Sequence, residues 1–400
     1  MKEHVYHSLL TYRRKDINED LNGREAYQRD IDRIVYSDAF QRLKHKTQVF
    51  FLPKNDHVCT RLEHVLYVSQ ASAAVARTLG WNEDLAKAIG LAHDIGHAPF
   101  GHHGESVFQE IIEGNEVLKK QIHFFRHETN SLRVLDTIAF INGHKESGLN
   151  LTLAVRDGVL CHNGEDQSNH FVPRIVTDVA MRDELEKKLN CTLKEWPKDL
   201  GLPSTYEGCI VRIVDKIAYT GRDIEDAFTA HILDDDTKAE YENFFQKEHT
   251  DFYDPDDTHC PFKNGKFISY FLKDLCTNSA NNDAITLSDS SSKLLASLIE
   301  LNYDKIYKHD RVKKFKEQAR RGIRILFDYL LMDLKGSNKL KDKSKLPDTE
   351  IVYPIFANFI QNYQDQNVPE EMMVLDFIAG MTDNYLLRCI SELFVPQSIV

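Results

Sequence analysis

The chain has 400 residues, with 50 Lys and Arg against 62 Asp and Glu, for a formal net charge of −12. That balance excludes a general coat for nucleic acid, which needs positive charge against phosphate, and without about 18 consecutive apolar residues no segment reads as a membrane-spanning helix. The polar start MKEHVYHSLLTYRRKD does not read as a signal peptide, and seven cysteines, an odd number with no CxxC pair, suggest small buried thiols in a reducing cytoplasm.

Aliphatic residues at helical spacing recur along the chain while alternating strand patterns are scarce, so the class is all-α with few or no strands. In chain order, an N-terminal segment (1–28) precedes FQRLKHKTQVF, where Phe40, Leu43, Val49 and Phe50 are core-like. TRLEHVLYVSQASAAVARTL follows as an amphipathic helix with the stripe Val65, Val68, Ser72, Val75 and Leu79. His64 flanks that buried face. The next helix starts at about Asn82, a capping residue, and carries Leu85, Ala88, Ile89 and Ala92 at helical spacing. Gly96 is expected to end it, which puts His93 and Asp94 on its last turn.

The run HDIGHAPFGHHGE (93–105) is dense in histidine and carboxylate and interrupted by glycine and proline. Such a run is poor core material and good metal-site material, because imidazole and carboxylate bind first-row divalent ions and the turns let side chains converge. A second His-Asp pair, His309-Asp310, lacks this setting and reads as a helix start or a surface pair.

CIVRIVDKIAYTGRDIEDAF is apolar on most sides and hence largely buried, so the charge of Asp215 needs a partner or a metal. Tyr219 and Arg222 lie on the face of Asp215, and Lys216 and Asp223 flank it. Alone, His64 could be a hydrogen-bonded core histidine, and Asp215 could pair with Arg222 or Arg212. As a set on separate helical segments, His64, His93, Asp94 and Asp215 read as an open metal site with about two positions left for water and a phosphate oxygen.

Further on, the acidic stretch 231–265 reads as a solvated insertion. The helix Lys308–Arg324 and the loop Lys335–Pro347 are basic. They read as solvated surface or as a second anion site using some of Arg311, Lys313, Lys314, Lys316, Arg320 and Arg321. In the terminal segment DFIAGMTDNYLLRCISELF, Phe377, Met381, Tyr385 and Leu386 are placed to pack on another helix.

RDIDRIVYSDAFQRLKHKTQVF, the TRLEH helix with the HD run, FRHETNSLRVL, VDKIAYTGRDIEDAF and the two late helices together resemble the deoxyguanosine triphosphate triphosphohydrolase (dGTPase) family of HD-domain phosphohydrolases, over most of the chain from about Arg29 to Phe394. The resemblance implies an HD-domain helical bundle at 29–230, with additional C-terminal helices at 266–400 packed on that core. It implies one divalent ion, Mn2+ or Mg2+ first, with Fe, Co, Ni or Zn as alternatives. The implied reaction is hydrolysis of a deoxynucleoside triphosphate (dNTP), with dGTP favoured, to deoxynucleoside and inorganic triphosphate. The implied proton-transfer group is His102 with Glu105, with His97 and His127 as further active-site histidines. Arg61 and Lys216 are placed to balance the triphosphate. Gln48, Val49, Tyr219 and Asp223 would surround the sugar, Val49 leaving no room for a 2′-hydroxyl. His103 has no matching role, and Glu128 stands where relatives often carry asparagine. Relatives form tetramers or hexamers, some regulated by nucleotide or single-stranded DNA, so a homo-oligomer with a second anionic site is expected. The alternative readings are a nucleotide phosphomonoesterase or phosphodiesterase of the same superfamily, and a catalytically inactive nucleotide sensor.

Overall fold

A computed structural model of the chain describes residues 7–15, 23–48, 58–140, 148–163, 168–248, 251–257, 260–336, 351–363 and 368–396. Val49 and most of the basic loop before Pro347 lie outside these residues. The chain opens with α1 (His7–Leu10), α2 (Ala26–Val35), α3 (Asp38–Gln41) and a 3-10 turn at Arg42–His45. Then come α4 (Arg61–Leu79), α5 (Glu83–Ala92), α6 (Gly101–Glu113), α7 (His127–Arg133) and α8 (Leu153–Leu160). α9 (Val179–Glu195), α10 (Tyr206–Thr229), α11 (Asp235–Lys247), α12 (Asn264–Ser279) and α13 (Asp289–Asn302) follow. The chain finishes with α14 (Asp310–Gly336), α15 (Val352–Asn362), α16 (Glu370–Ala379) and α17 (Asp383–Phe394). The fold is all-α. Its one sheet among the described residues is a two-residue antiparallel pair, β1 (His170–Phe171) with β2 (Ile285–Thr286).

Local chemistry sets the helices around the site. Thr60 caps α4 in a reciprocal capping box with Glu63. Asn82 caps α5 by accepting from the Leu85 amide, as its sequence predicts. α5 stops at Ala92, so His93 is its C-cap and Asp94 lies in the following turn, and the helix ends before the pair expected on its last turn. Gly96 is required there for close approach and not for a left-handed φ. A Cβ on it would lie 2.1 Å from the Ser131 amide nitrogen on α7.

Two hydrophobic cores divide the helices. The first is built from α2, α4, α5, α8 and α10, and also takes in α11, α12 and α13. The second packs α6 against α14 to α17, with Phe125 and Trp196. The region expected from residue 266 is therefore shared between the cores. Nor is the acidic stretch a purely solvated insertion. Asp235 and Asp236 are exposed, but Tyr241, Phe245, Phe252 and Phe262 are buried in the first core, because aromatic residues at helical spacing outweigh flanking acids that stay in water. Phe377, Met381 and Leu386 are likewise covered within the same chain, in the second core.

Polar ties cross between the cores. Arg133 on α7 and Asp376 on α16 form a buried bidentate pair at 2.8–3.1 Å, with the Tyr363 hydroxyl on both. Asp383, at the first residue of α17, accepts from the amides of Thr47 (3.0 Å) and Phe100 (2.9 Å). Lys46 is buried and donates to the carbonyls of His97 and Ala379. His103 contacts the Lys316 carbonyl through Nε2 at 2.6 Å, so it ties α6 to α14.

Candidate active site

The site lies where the two cores meet, with one set of side chains from each side. The first core supplies His64 on α4, His93 and Asp94 after α5, and Asp215 on α10. His64 Nε2 lies 2.9 Å from Asp215 Oδ1 and 3.9 Å from Asp94 Oδ2. His93 Nε2 lies 3.6 Å from both Asp94 Oδ1 and Asp215 Oδ1. The His93 Nδ1–H donates to the Gly90 carbonyl at 2.8 Å, which fixes the tautomer and leaves Nε2 buried with no hydrogen bond. Burial opposes charge on both aspartates. Even so, His93, Arg61, His97 and His127 hold Asp94 well below the usual carboxylate range, and His64 and His93 do the same for Asp215. Two ionised carboxylates, two imidazoles and an orphaned imidazole nitrogen fit a divalent first-row metal.

The second set comes from the turn before α6, which carries His97, from α6 and from α7. Glu105 Oε1 lies 2.8 Å from His97 Nδ1, 3.2 Å from His127 Nδ1 and 3.7 Å from His102 Nδ1. The rings of His97 and His127 stack at 4.0 Å between centroids. Burial works against its charge, yet His127, His97 and His102 hold Glu105 well below its usual range. Burial, Arg61 and His127 push the His97 ring well below its usual range. Against burial, Glu128 and Glu105 lift His127 to about 10. His102 differs from these neighbours because 65% of its side chain is exposed, so it can meet a molecule arriving from solvent.

Among the residues expected to touch substrate, Arg61 is buried and ion-paired with Asp94. The Gln48 side-chain oxygen is buried without a hydrogen bond, and its backbone carbonyl lies beside Gly101. Asp223 accepts from the Tyr307 hydroxyl, and its Oδ1 is buried without a partner. Burial pushes the Asp223 carboxyl up to about 8, and Arg61 and His102 are close enough to oppose that rise. Tyr219 is half-buried on α10 and lies within electrostatic reach of Tyr307.

Lys216 is not brought into this group. Its ammonium donates to the Ser168 carbonyl and to Asn169 Oδ1, both at 3.1 Å, because one residue along a helix turns the side chain about 100° from Asp215. Arg222 bonds along the same face of α10, to Asp226 at 2.9 Å and Glu225 at 3.0 Å. On the basic α14, Arg320 and Arg324 both hold Glu110 of α6. His309 serves the helix start, where Nδ1 accepts from the Arg311 amide at 3.3 Å.

Sequence reasoning missed Tyr307 and His162. Tyr307 ends a π-helical turn, Tyr303–Tyr307, that no spacing rule flags. His162 follows α8 and is buried, with Nδ1 on the Val159 carbonyl at 2.6 Å. Its Nε2 is 4.0 Å from Asp94 Oδ1. Burial, with His93 and His127 nearby, lowers it to about 3, so its ring is neutral. The available signal was a histidine directly after the fully apolar run GVLC, where an unpaired polar group is costly.

Comparison with known proteins agrees with this geometry. The HD domain family matches residues 61–220, and the phosphohydrolase-associated domain matches residues 285–392. A deoxyguanosinetriphosphate triphosphohydrolase-like protein of Caldanaerobacter subterraneus subsp. tengcongensis is 32% identical over 94% of this chain and 86% of its own length. Proteins of the same description from Desulfatibacillum aliphaticivorans and Clostridium tetani are 31% and 30% identical, each over 94% of this chain and over 90% and 88% of their own lengths. No helix among the described residues is long and apolar enough to cross a membrane. A metal-competent histidine and aspartate set on an all-α bundle, matched along nearly the whole chain by these relatives, places this protein in the deoxyguanosinetriphosphate triphosphohydrolase-like family of HD-domain phosphohydrolases.

Proposed function

We propose that the protein hydrolyses deoxynucleoside triphosphates, dGTP first, to deoxynucleoside and inorganic triphosphate. The observation that carries this reading is the meeting of two chemistries at Asp94. A metal-competent set lies on one side, and Glu105 with three imidazoles lies on the other, one of them exposed to solvent. The relatives named above carry the dGTP activity in their names, which supports the substrate class.

His64, His93, Asp94 and Asp215 would hold one divalent ion, with Mn2+ or Mg2+ the first choice. Bound there, the ion supplies a Lewis acid that polarises the α-phosphate and orients water. The protein's own groups do the rest. Arg61 already sits against Asp94 and offers its guanidinium to the triphosphate charge. Water attacks the α-phosphorus and the bond to the 5′ oxygen breaks. His102 delivers a proton to that oxygen, since an alkoxide is a poor leaving group, and takes back the proton that the water loses. Glu105, 3.7 Å from the ring, orients it for that transfer. His97 and His127 hold Glu105 in turn. The orphaned oxygens of Gln48 and Asp223 are buried acceptors that a sugar hydroxyl would satisfy, and Tyr219 on α10 lies within electrostatic reach of the Tyr307 that bonds Asp223. An uncharged Asp223 at neutral pH suits a hydroxyl better than a phosphate.

The test is incubation of the metal-supplemented protein with each dNTP and NTP, resolving nucleoside and inorganic products. Intact triphosphate from dNTPs is expected. Release of monophosphate, pyrophosphate or single phosphates would establish the esterase alternative, and no turnover with any divalent metal would establish the sensor alternative.

A further inference from the structure

Asp383 opens α17 but turns its carboxylate to two other segments. Its Oδ1 accepts from the Phe100 amide at 2.9 Å, and its Oδ2 accepts from the Thr47 amide at 3.0 Å and from the Thr47 hydroxyl. A carboxylate on the first turn of a helix commonly faces water, where it complements the helix dipole. This one is 1% exposed. A buried carboxylate is costly unless donors hold it, and here both donor segments are remote in sequence.

Each segment leads to a group with a role in the reaction. On one side, the Thr47 carbonyl accepts from Arg61 Nη2 at 3.2 Å, and the Lys46 carbonyl accepts from the Arg61 amide at 3.0 Å. On the other, Phe100 is the N-cap of α6, two residues before His102, and its side chain makes no capping hydrogen bond. Phe100 and Gly101 both take left-handed φ, 64° and 61°. A phenylalanine keeps that conformation only where its surroundings hold it. The two sides almost touch, because a Cβ on Gly101 would lie 3.3 Å from Arg61 Nη2. We infer that Asp383 is a positioning residue for the hydrolysis: it fixes the Arg61 guanidinium and the His102 ring in one frame, so that the triphosphate charge and the proton donor are set relative to each other. This rests on the proposed dNTP hydrolysis, with Arg61 and His102 in the roles given above.

Lys46 completes the frame. It is buried, its ammonium donates to the carbonyls of His97 and Ala379, and it lies within electrostatic reach of Asp383. The HD turn, the end of α16 and the segment before α4 are thereby drawn around one carboxylate. The bonds of this frame involve none of His64, His93 and Asp215, so it can loosen while the metal set stays.

The experiment uses the full chain with Mn2+ and two substrates, a dNTP and its 5′-phosphorothiolate, in which sulfur replaces the bridging 5′ oxygen. A thiolate leaves without a proton, so the second substrate does not need the acid. Asp383→Ala should lower kcat on the dNTP by roughly 100-fold, the cost of a misplacement of about 1 Å. On the phosphorothiolate the loss should shrink to less than about 10-fold, as it should for His102→Ala. Inhibition by inorganic triphosphate should weaken about 10-fold, because Arg61 loses its anchor. Mn2+ content should match wild type. Equal losses on both substrates with unchanged triphosphate inhibition would make Asp383 a structural residue only and overturn the inference. If Asp383→Ala fails to fold by circular dichroism, Asp383→Asn decides. Whichever way its amide turns, an NH2 meets the N–H of Thr47 or of Phe100, so either the triphosphate inhibition or the relief by sulfur must change, and wild-type behaviour in both overturns the inference. Wild-type protein that releases no triphosphate from any dNTP overturns the hydrolysis reading itself, and the inference with it.

Discussion

Gly96→Ala tests whether the site depends on the close contact between the HD turn and α7. The added Cβ would lie 2.1 Å from Ser131 N, 2.4 Å from Asn130 C and 2.5 Å from Ser131 Cα. All three are backbone atoms, so no rotamer change relieves the clash. Ordinary contact begins at 3.4 Å, so turn and helix must separate by about 1.3 Å. That movement stretches three hydrogen bonds: Gly96 N to Ser131 Oγ (2.9 Å), Ser131 Oγ to the His93 carbonyl (2.7 Å) and Asn130 Nδ2 to the Gly96 carbonyl (2.6 Å). Overpacking costs about 1–3 kcal/mol and each of the three weakened bonds about 1 kcal/mol, giving a loss of about 4–6 kcal/mol. The same movement carries His93 and Asp94 away from His127, and a misplacement of about 1 Å costs roughly 100-fold in rate. The assays are chemical denaturation and triphosphate release, with Gly265→Ala as the control because its Cβ would meet nothing within 4 Å. A Gly96→Ala protein matching the control in both would refute the reasoning.

Other expectations follow from single contacts. Glu207 accepts from the Asn82 amide in a buried site, and burial lifts its carboxyl from 4.5 to about 7. The folded state therefore binds the extra proton, and stability falls as pH rises from about 4.5 to 7. Glu207→Gln should match wild type in denaturant melts at pH 5 and exceed it by up to roughly 3 kcal/mol at pH 8; equal melts at both would contradict this. Asp376→Ala leaves the Arg133 guanidinium buried without its carboxylate, so denaturation should show a loss of about 3–5 kcal/mol. Asp94→Asn should abolish hydrolysis and Mn2+ binding while far-ultraviolet circular dichroism stays helical, and an active variant would refute the metal assignment. Under steady-state assay dGTP should turn over far faster than GTP, and equal rates would refute the sugar pocket.

Local signals carried much of the architecture. Capping residues such as Thr60 and Asn82 and the apolar stripe of α4 are one-dimensional patterns, because a helix uses residues three and four apart. The density of histidine and carboxylate from His93 to Glu105 marked the site for the same reason: polar groups so concentrated need a common partner. Asp215 joins them because a charge on a largely apolar helix is costly without a partner or a metal, and His64 flanks the buried face of its own helix.

Other features depend on contacts between segments far apart in sequence. Lys216 and Asp215 are neighbours, yet only the rotation of α10 against its surroundings turns one toward Asn169 and the other toward His64. Tyr307 reaches Asp223 through a π turn, and His162 reaches Asp94 from the end of α8, with no spacing rule linking either pair. The division into two cores shows the same dependence. α6 follows the HD turn directly, but its apolar face packs with helices more than 200 residues later, so Glu105 and His102 stand across a seam from the metal-competent set. Sequence periodicity determines which face of a helix is apolar. Only the tertiary structure determines what that face meets, since hydrophobic burial is non-directional and the choice among apolar partners is made by shape and by the few buried polar pairs that must find each other.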